Sequence, residues 1–213
     1  MTVAHLILAF GGVVSLGAVL GRRRNKTLVT GIMHAIAARF APRSAEYARL
    51  GRTIALGFEY DLGEDARTLT GLITMLPRYS VMYLPIAWVL GRDDLVKLTC
   101  TSRYVAPGVG SIVGPGLARG RWRRSWYAVE RSPELIESHH TVGDRTYRIY
   151  GFNRLVTERL AGLLPTLAEF RGFNQVSVDS RTGEVTLFFT PRLRTIEREL
   201  KCAETVITTL TAA

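Results

Sequence analysis

Hydrophobic and polar positions divide the chain into one long uncharged segment and a body of shorter patterned segments. Residues 3–20 carry no charge and are interrupted only by His5, Ser15 and three glycines. At about 1.5 Å per residue, a helix of this length reaches roughly 27 Å, enough to cross the hydrocarbon core of a bilayer. The pattern predicts a transmembrane anchor over residues 1–21.

The charges that flank this segment predict its orientation. No basic residue precedes it, whereas Arg22, Arg23, Arg24 and Lys26 follow it directly. A cleaved signal peptide has basic residues first and small residues at its cleavage site, so we expect an uncleaved anchor. The positive-inside rule then predicts an outer N-terminus and a cytoplasmic body, in the cell or endoplasmic reticulum membrane. The four cations also suit anionic lipid headgroups or, alternatively, the RNA of a docked ribosome.

The first part of the body has both helical and alternating patterns. Apolar side chains recur at helical spacing over residues 27–39, so residues 22–50 are predicted to be an amphipathic juxtamembrane connector. Strict alternation predicts strands over residues 52–62 and 95–104. These elements open a cytosolic α+β domain over residues 51–191.

Residues 68–90 are as apolar and as long as a second membrane span. Pro77, Arg78 and Pro85 interrupt them, and a continuous helix would lose backbone hydrogen bonds at both prolines. We therefore expect a kinked or split helix packed on a sheet. A re-entrant or membrane-surface helix is the alternative.

The remaining patterns predict seven further elements and a C-terminal helix. They are an exposed, mobile glycine-rich loop at 106–120, strands at 122–129 and 145–150, a helix at 133–140 capped by Ser132, a helix at 153–170, a hairpin of strands 174–179 and 184–190, and a C-terminal helix within 192–213. This order favours an α+β sandwich of ferredoxin-like character.

Composition points to a negatively charged partner. Lys and Arg number 28 against 18 Asp and Glu, for a formal net charge of +10, and all but three of the cations are Arg. Such an excess favours nucleic acid or anionic lipid. A GC-rich genome would produce the same Arg bias without a function.

Catalytic and metal-binding patterns are absent from the sequence. Cys100 and Cys202 lack zinc-ligand spacing, and Cys100 fits a buried reduced thiol. The glycines at 108–120 are followed by no phosphate-binding lysine, and His139 and His140 are adjacent residues with no carboxylate at ligand spacing. Asp93 and Asp94 suit a turn. We expect no enzyme activity, cofactor, metal or small-molecule substrate.

One cluster does combine cations and aromatic rings. Four guanidinium groups and two indoles fall within eight residues at the end of the glycine-rich segment, namely Arg119, Arg121, Trp122, Arg123, Arg124 and Trp126. Arg pairs with phosphate and both residue types stack on exposed bases, which suits RNA. The alternative is a solvated strand edge whose indoles pack inward or against headgroups.

The order of these segments resembles the calumin family. The resemblance rests on GRRRNKTL after the anchor, then LPRYSVMYLPIAWVLGRDDLVKLTCT, WYAVERSPELIES, and LAEFRGFNQVSVDS with VTLFFTP, over residues 3–191. It implies a subunit of the PAT intramembrane chaperone, with contacts to the ribosome, the Sec translocon and a small Asterix-like membrane subunit. It also implies a role in membrane-protein biogenesis.

The chain departs from this family in two places. The family's charged C-terminal coiled coil is missing, since about twenty residues follow Pro191. The glycine-rich segment and its RGRWRRSW end replace a shorter hairpin, so their ribosomal role is a separate hypothesis. The Arg-based composition suits a prokaryotic or archaeal relative without the coiled coil. A membrane-tethered scaffold for lipid or an unrelated protein is the alternative function.

Overall fold

The computed structural model describes residues 2–50, 55–63, 67–115 and 134–212, and it is an α+β structure. In chain order the elements are α1 (Val3–Phe40), β1 (Ser44–Arg49), β2 (Ala55–Asp61), β3 (Thr68–Thr74), α2 (Tyr83–Val89), β4 (Leu95–Thr101), β5 (Val109–Val113), β6 (Ile136–Val142), β7 (Arg145–Gly151), α3 (Arg154–Ala161), α4 (Leu164–Glu169), β8 (Phe173–Asp179), β9 (Glu184–Phe189) and α5 (Ile196–Thr211).

The nine strands in the described part of the chain form one antiparallel sheet. Its order is β1-β2-β3-β4-β9-β8-β5-β7-β6, so β9 and β8 join the two halves at the centre. Alternate strand residues are buried, as in β9, where Val185, Leu187 and Phe189 are inaccessible and the residues between them are not. The mixed α+β class is confirmed. The ferredoxin-like arrangement is not confirmed, because the sheet has nine strands.

The helices bury their apolar residues in one continuous core with these alternate strand positions. Ile32 and Ile36 from α1, Leu160 from α3, Leu167 from α4 and Val206 from α5 belong to it. The C-terminal half of α1 contacts α5, and α5 contacts α4. The predicted C-terminal helix is confirmed, beginning at Ile196.

The predicted helix over 68–90 is wrong in its first part. Residues 68–74 form β3, paired with β2 and β4 over their whole length, and only α2 is helical. Leu69 and Ile73, four residues apart, are both buried on one face of this segment, and its β-branched threonines suit a strand. The expectation that this segment is not a second spanning helix is confirmed within the described residues.

The predicted glycine-rich loop is wrong over residues 109–113. Residues 109–113 form β5, which is buried between β7 and β8. Gly110 is needed for packing, because a Cβ there would lie 2.8 Å from a Leu160 methyl carbon and from the Tyr150 carbonyl oxygen. Glycine here permits close packing, not mobility. The predicted strand 122–129 and the loop beyond residue 115 lie outside the described residues.

The predicted helix over 133–140 is wrong as well. Residues 136–142 form β6, and a turn at Gly143, with φ 61°, joins it to β7. His139 and His140 therefore point to opposite faces of the sheet. The strand at 145–150 and the hairpin of 174–179 and 184–190 are confirmed.

Two helical segments have different bounds from those predicted. Residues 153–170 contain α3 and α4, separated at Gly162, and Asn153 caps α3 by accepting the Val156 amide hydrogen. The helical pattern over 27–39 is confirmed, but it continues the anchor helix without a break, and residues 44–49 form an unpredicted edge strand. The division of the chain into anchor, connector, domain and C-terminal helix stays a prediction.

Candidate membrane-exit site and cationic surfaces

The N-terminal half of α1 is apolar and unpacked. Among the described residues, α1 is the one helix that is long and apolar enough to cross a membrane, judged by length and composition, and none of its most apolar 18-residue window is buried. Val3, Leu8 and Val13 are each more than 60% exposed. Large apolar side chains at such exposure are characteristic of a surface that contacts lipid or another protein.

The C-terminal half of the same helix is part of the body. From Gly21 onward, buried residues recur along one side, including Asn25, Ile32 and Ile36. Arg39, in the last turn, forms an ion pair with Glu204 of α5. No linker separates the apolar half from the packed half, so the helix and the body move together.

A polar network fixes α1 to the sheet at the end of the apolar half. Asn25 is fully buried and donates a hydrogen bond from Nδ2 to the Leu76 carbonyl oxygen at 2.7 Å. The Arg78 guanidinium donates to Asn25 Oδ1 at 2.9 Å and makes two bonds to the Asp94 carboxylate, at 2.9 and 2.6 Å. Asp94 also accepts the Leu76 amide hydrogen at 2.8 Å. The network thus joins α1 to both ends of the segment between β3 and β4.

Two glycines let this segment approach the helix closely. A Cβ at Gly21 would overlap the Arg78 carbonyl oxygen, and one at Gly17 would lie 2.5 Å from a Val81 methyl carbon. Gly11 and Gly12 have open space instead. The four-residue spacing of Gly17 and Gly21 places them on one helix face, as in close-packed membrane helices.

The four predicted juxtamembrane cations all lie at exposed positions around this network. Arg22, Arg23, Arg24 and Lys26 flank the buried Asn25 on α1. The Arg22 guanidinium carbon lies 5.7 Å from the centre of the Tyr79 ring, which is a cation–π arrangement. The structure therefore presents a compact basic surface where the apolar half of the helix ends.

The second predicted cluster is not placed by the structure. Arg119, Arg121, Trp122, Arg123, Arg124 and Trp126 lie outside the described residues.

An apolar groove of about 1030 Å³ lies between α1 and the β1–β2 edge of the sheet. Val29, Met33, Ala37 and Leu56 line it, together with three basic side chains, those of Lys26, His34 and Arg49. The Tyr47 hydroxyl, also at the groove, lies 3.2 Å from that of Tyr60. Burial, and next the Tyr47 contact, raise the pKa of Tyr60, which is therefore a neutral phenol.

A smaller polar cavity of about 430 Å³ lies at the starts of β7 and β8. Its charged lining consists of Asp93, Asp144, Arg145, Arg171 and Arg192. Its hydroxyl groups are engaged elsewhere: Tyr147 donates to the Leu167 carbonyl oxygen, and Thr190 accepts from Asn174. Neither serine, cysteine nor histidine lines it among the described residues. Its arginines suit an anionic group, but a nucleophile with a partner base is not assembled there.

Buried titratable groups elsewhere belong to the core. Burial raises the pKa of the Cys100 and Cys202 thiols, both free, which makes them poor nucleophiles. Burial also raises the pKa of Glu199, against the opposing effects of a hydrogen bond from Thr195 and the charge of Arg192. Groups of three or more metal-ligating side chains are not found in the described part of the chain.

Sequence reasoning missed the residues that organise this site. In the sequence pattern, Arg78 indicates only an obstacle to a second span, and Asp94 indicates only a turn. A buried-pair signal was available, because an Arg inside an apolar segment requires a nearby acid, and Asp94 is the acid that closes the segment. An Asn within the helical pattern beside four cations was a second signal.

Comparison with known proteins identifies no relative. A scan against models of known protein families finds no match, and a search of curated proteins finds none either.

Proposed function

We propose that this protein is a membrane-anchored, non-enzymatic accessory factor of membrane-protein insertion. In this proposal α1 crosses the membrane once with its N-terminus outside, and the body lies in the cytoplasm. There it binds ribosomal RNA and the Sec translocon beside a small Asterix-like membrane subunit, as the calumin-like segment order implies. A cytosolic domain of the calumin type is part of the same proposal.

The observation that carries this proposal is the unbroken passage of α1 from an unpacked apolar half into the core. A domain on a flexible linker would sample a wide volume, whereas this helix holds its basic surface at a fixed height and angle. The exposed Arg22, Arg23, Arg24 and Lys26 thereby reach phosphate groups only near the membrane surface. Placement of a cationic surface beside the membrane is the activity that such geometry suits.

The groove between α1 and the β1–β2 edge supports a protein contact in the same location. Its apolar lining begins at Val29, one helical turn beyond the basic cluster. An amphipathic helix with acidic flanks would bury its apolar face there and pair with Lys26 and Arg49. A segment of the translocon or of the small membrane subunit is the occupant that we propose.

Co-sedimentation with ribosomes from solubilised membranes tests the proposal. We expect the protein to pellet with ribosomes at low salt and to be released steeply as salt rises, because cation–phosphate contacts release counterions. Replacing Arg22, Arg23, Arg24 and Lys26 with Gln should make the salt dependence shallower. A matched control variant replaces four exposed cations elsewhere in the body with Gln, namely Arg154, Arg159, Arg181 and Lys201.

If both variants pellet with ribosomes as the wild type does, the juxtamembrane cluster is not part of the ribosome contact. Failure of the wild-type protein to pellet at any salt concentration would overturn the ribosomal part of the proposal. The second candidate function, a membrane-tethered scaffold for anionic lipid, would then be favoured. The observation that favours it is the exposure of all four cations at the helix exit.

A further inference from the structure

The segment between β3 and β4 runs along α1 in the antiparallel direction. Leu76 meets α1 at Asn25, Arg78 meets it at Gly21, and Val81 meets it at Gly17. Each step along this segment therefore brings it nearer to the apolar half of the helix. The segment turns at α2 and returns to the sheet at Asp94. There the hydrogen bonds from Arg78 to Asp94 join the end of the segment to its beginning.

The contact between Val81 and Gly17 shows how far this segment extends along the apolar half of α1. Gly17 precedes Arg22 by five residues, which is about 7.5 Å along a helix axis. If the cations lie among the lipid headgroups, Val81 lies below them, at the boundary with the acyl chains. Tyr79, stacked with Arg22, lies at the headgroup level, where tyrosine is enriched in membrane proteins.

The short helix α2, which follows, has an apolar side without a partner in the described structure. Met82, directly before the helix, and Ile86 and Val89 within it are 69%, 53% and 86% exposed, and their spacing of four and three residues places them on one side. Ala87, on the opposite side, is fully buried, and Arg92, which follows the helix, packs over the Tyr83 ring at 5.8 Å. The side that carries Ala87 therefore faces the body, and the apolar face points outward.

We propose that α2 inserts this face into the same bilayer that α1 crosses, at the headgroup–acyl boundary. This inference rests on the proposed membrane anchoring of α1. The occupant is lipid and not a protein, because the contact of Val81 with Gly17, two residues before α2, places the start of α2 beside the part of α1 that lipid surrounds. A single helix leaves the body free to rotate about its axis, and a second, lateral contact removes that rotation. The basic surface and the groove then face one direction along the membrane.

Site-directed spin labelling of the full-length protein in protein-free vesicles of mixed neutral and anionic lipid tests this inference. Single cysteines at Ile86 and Val89 carry the label, and Cys100 and Cys202 stay in place because they are buried. Val13 of α1 is the control for anchoring. Thr182 is the control for water, since its turn lies at the far end of β4 and β9, about 20 Å from Asp94 along the strand.

We expect the labels at Ile86 and Val89 to collide with a water-soluble nickel chelate at least about fivefold less often than the label at Thr182, because an interfacial helix buries its apolar face. Collisions of the labels at Ile86 and Val89 with oxygen should, in contrast, be more frequent than those of the label at Thr182. Water-like collision rates at Ile86 and Val89, with lipid-like rates at Val13, would overturn the inference alone. Water-like rates at Val13 would instead overturn the anchor on which the inference rests.

Discussion

The Asn25–Arg78–Asp94 network should account for a large share of the stability of the junction between helix and body. Replacing Asp94 with Asn keeps the shape of the side chain but removes its charge, and it places an amide against a guanidinium that is already a donor. The Arg78 and Asp94 side chains are only 16% and 12% exposed, so water replaces little of the lost interaction. The Leu76 amide can still reach the remaining oxygen.

The expected cost follows from this burial. Breaking a fully buried ion pair costs about 3 to 5 kcal/mol, and an exposed pair is worth about 0 to 1 kcal/mol. For a pair that is mostly buried we expect about 2 to 3 kcal/mol. In a domain of this size, each kcal/mol lowers the midpoint of thermal unfolding by about 2 to 4 °C, which gives a fall of about 4 to 12 °C.

Asp179→Asn is the matched control, because Asp179 also makes a two-bonded pair with an arginine, Arg181, at 3.0 and 2.8 Å. The Arg181 side chain is 75% exposed, so this change should cost at most about 1 kcal/mol, or less than about 4 °C. Thermal unfolding of both variants in the same detergent, followed by intrinsic fluorescence, gives the comparison. If Asp94→Asn lowers the midpoint no more than Asp179→Asn does, the network is not what holds α1 to the sheet.

Three further predictions concern other parts of the chain. Gly21→Ala should lower the unfolding midpoint, because its Cβ overlaps the Arg78 carbonyl, whereas Gly12→Ala should not; equal midpoints would contradict the close contact. Glu199→Gln should gain stability relative to wild type as pH rises from 4 to 7, because the pKa of Glu199 is raised in the folded protein. Below the unfolded pKa of about 4.3, the wild-type carboxyl stabilises the fold. It loses that contribution as pH rises through the folded pKa. A difference between the two proteins that does not change with pH would refute this. Replacing the four arginines of RGRWRRSW with Gln should weaken ribosome co-sedimentation and flatten its salt dependence without changing folding, and binding equal to wild type at every salt concentration would exclude them as the contact; they are Arg119, Arg121, Arg123 and Arg124.

Local patterns predicted the elements in which side-chain periodicity and burial agree. Strand β9 alternates strictly because one of its faces is in the core, and α5 repeats at helical spacing because it packs along one side. Both were recognised from spacing alone. Strand β5 was not, because its one glycine, Gly110, is required by the close approach of α3 and β7, and this approach depends on the whole sheet.

The candidate site was predictable only in part, for a similar reason. Arg22, Arg23, Arg24 and Lys26 are adjacent in sequence, so their clustering needs no fold. Arg78 and Asp94 are brought to Asn25 by a segment that leaves the sheet and returns, and the register of β3 with β4 determines where it does so. Helical spacing over 68–90 was misleading, because Met75 and Tyr79 lie between a strand and a helix, in neither element.

The position of the body relative to the membrane tests the central claim most directly. Protease is added to sealed vesicles of known orientation that contain the full-length protein, and fragments are detected with an antibody against the C-terminal helix. With the cytoplasmic face outward, we expect the body to be degraded; with that face inward, it should be protected until detergent opens the vesicles. A body that is cleaved when the external face is outward, and protected when the cytoplasmic face is outward, would contradict the proposed orientation and the ribosomal role that depends on it.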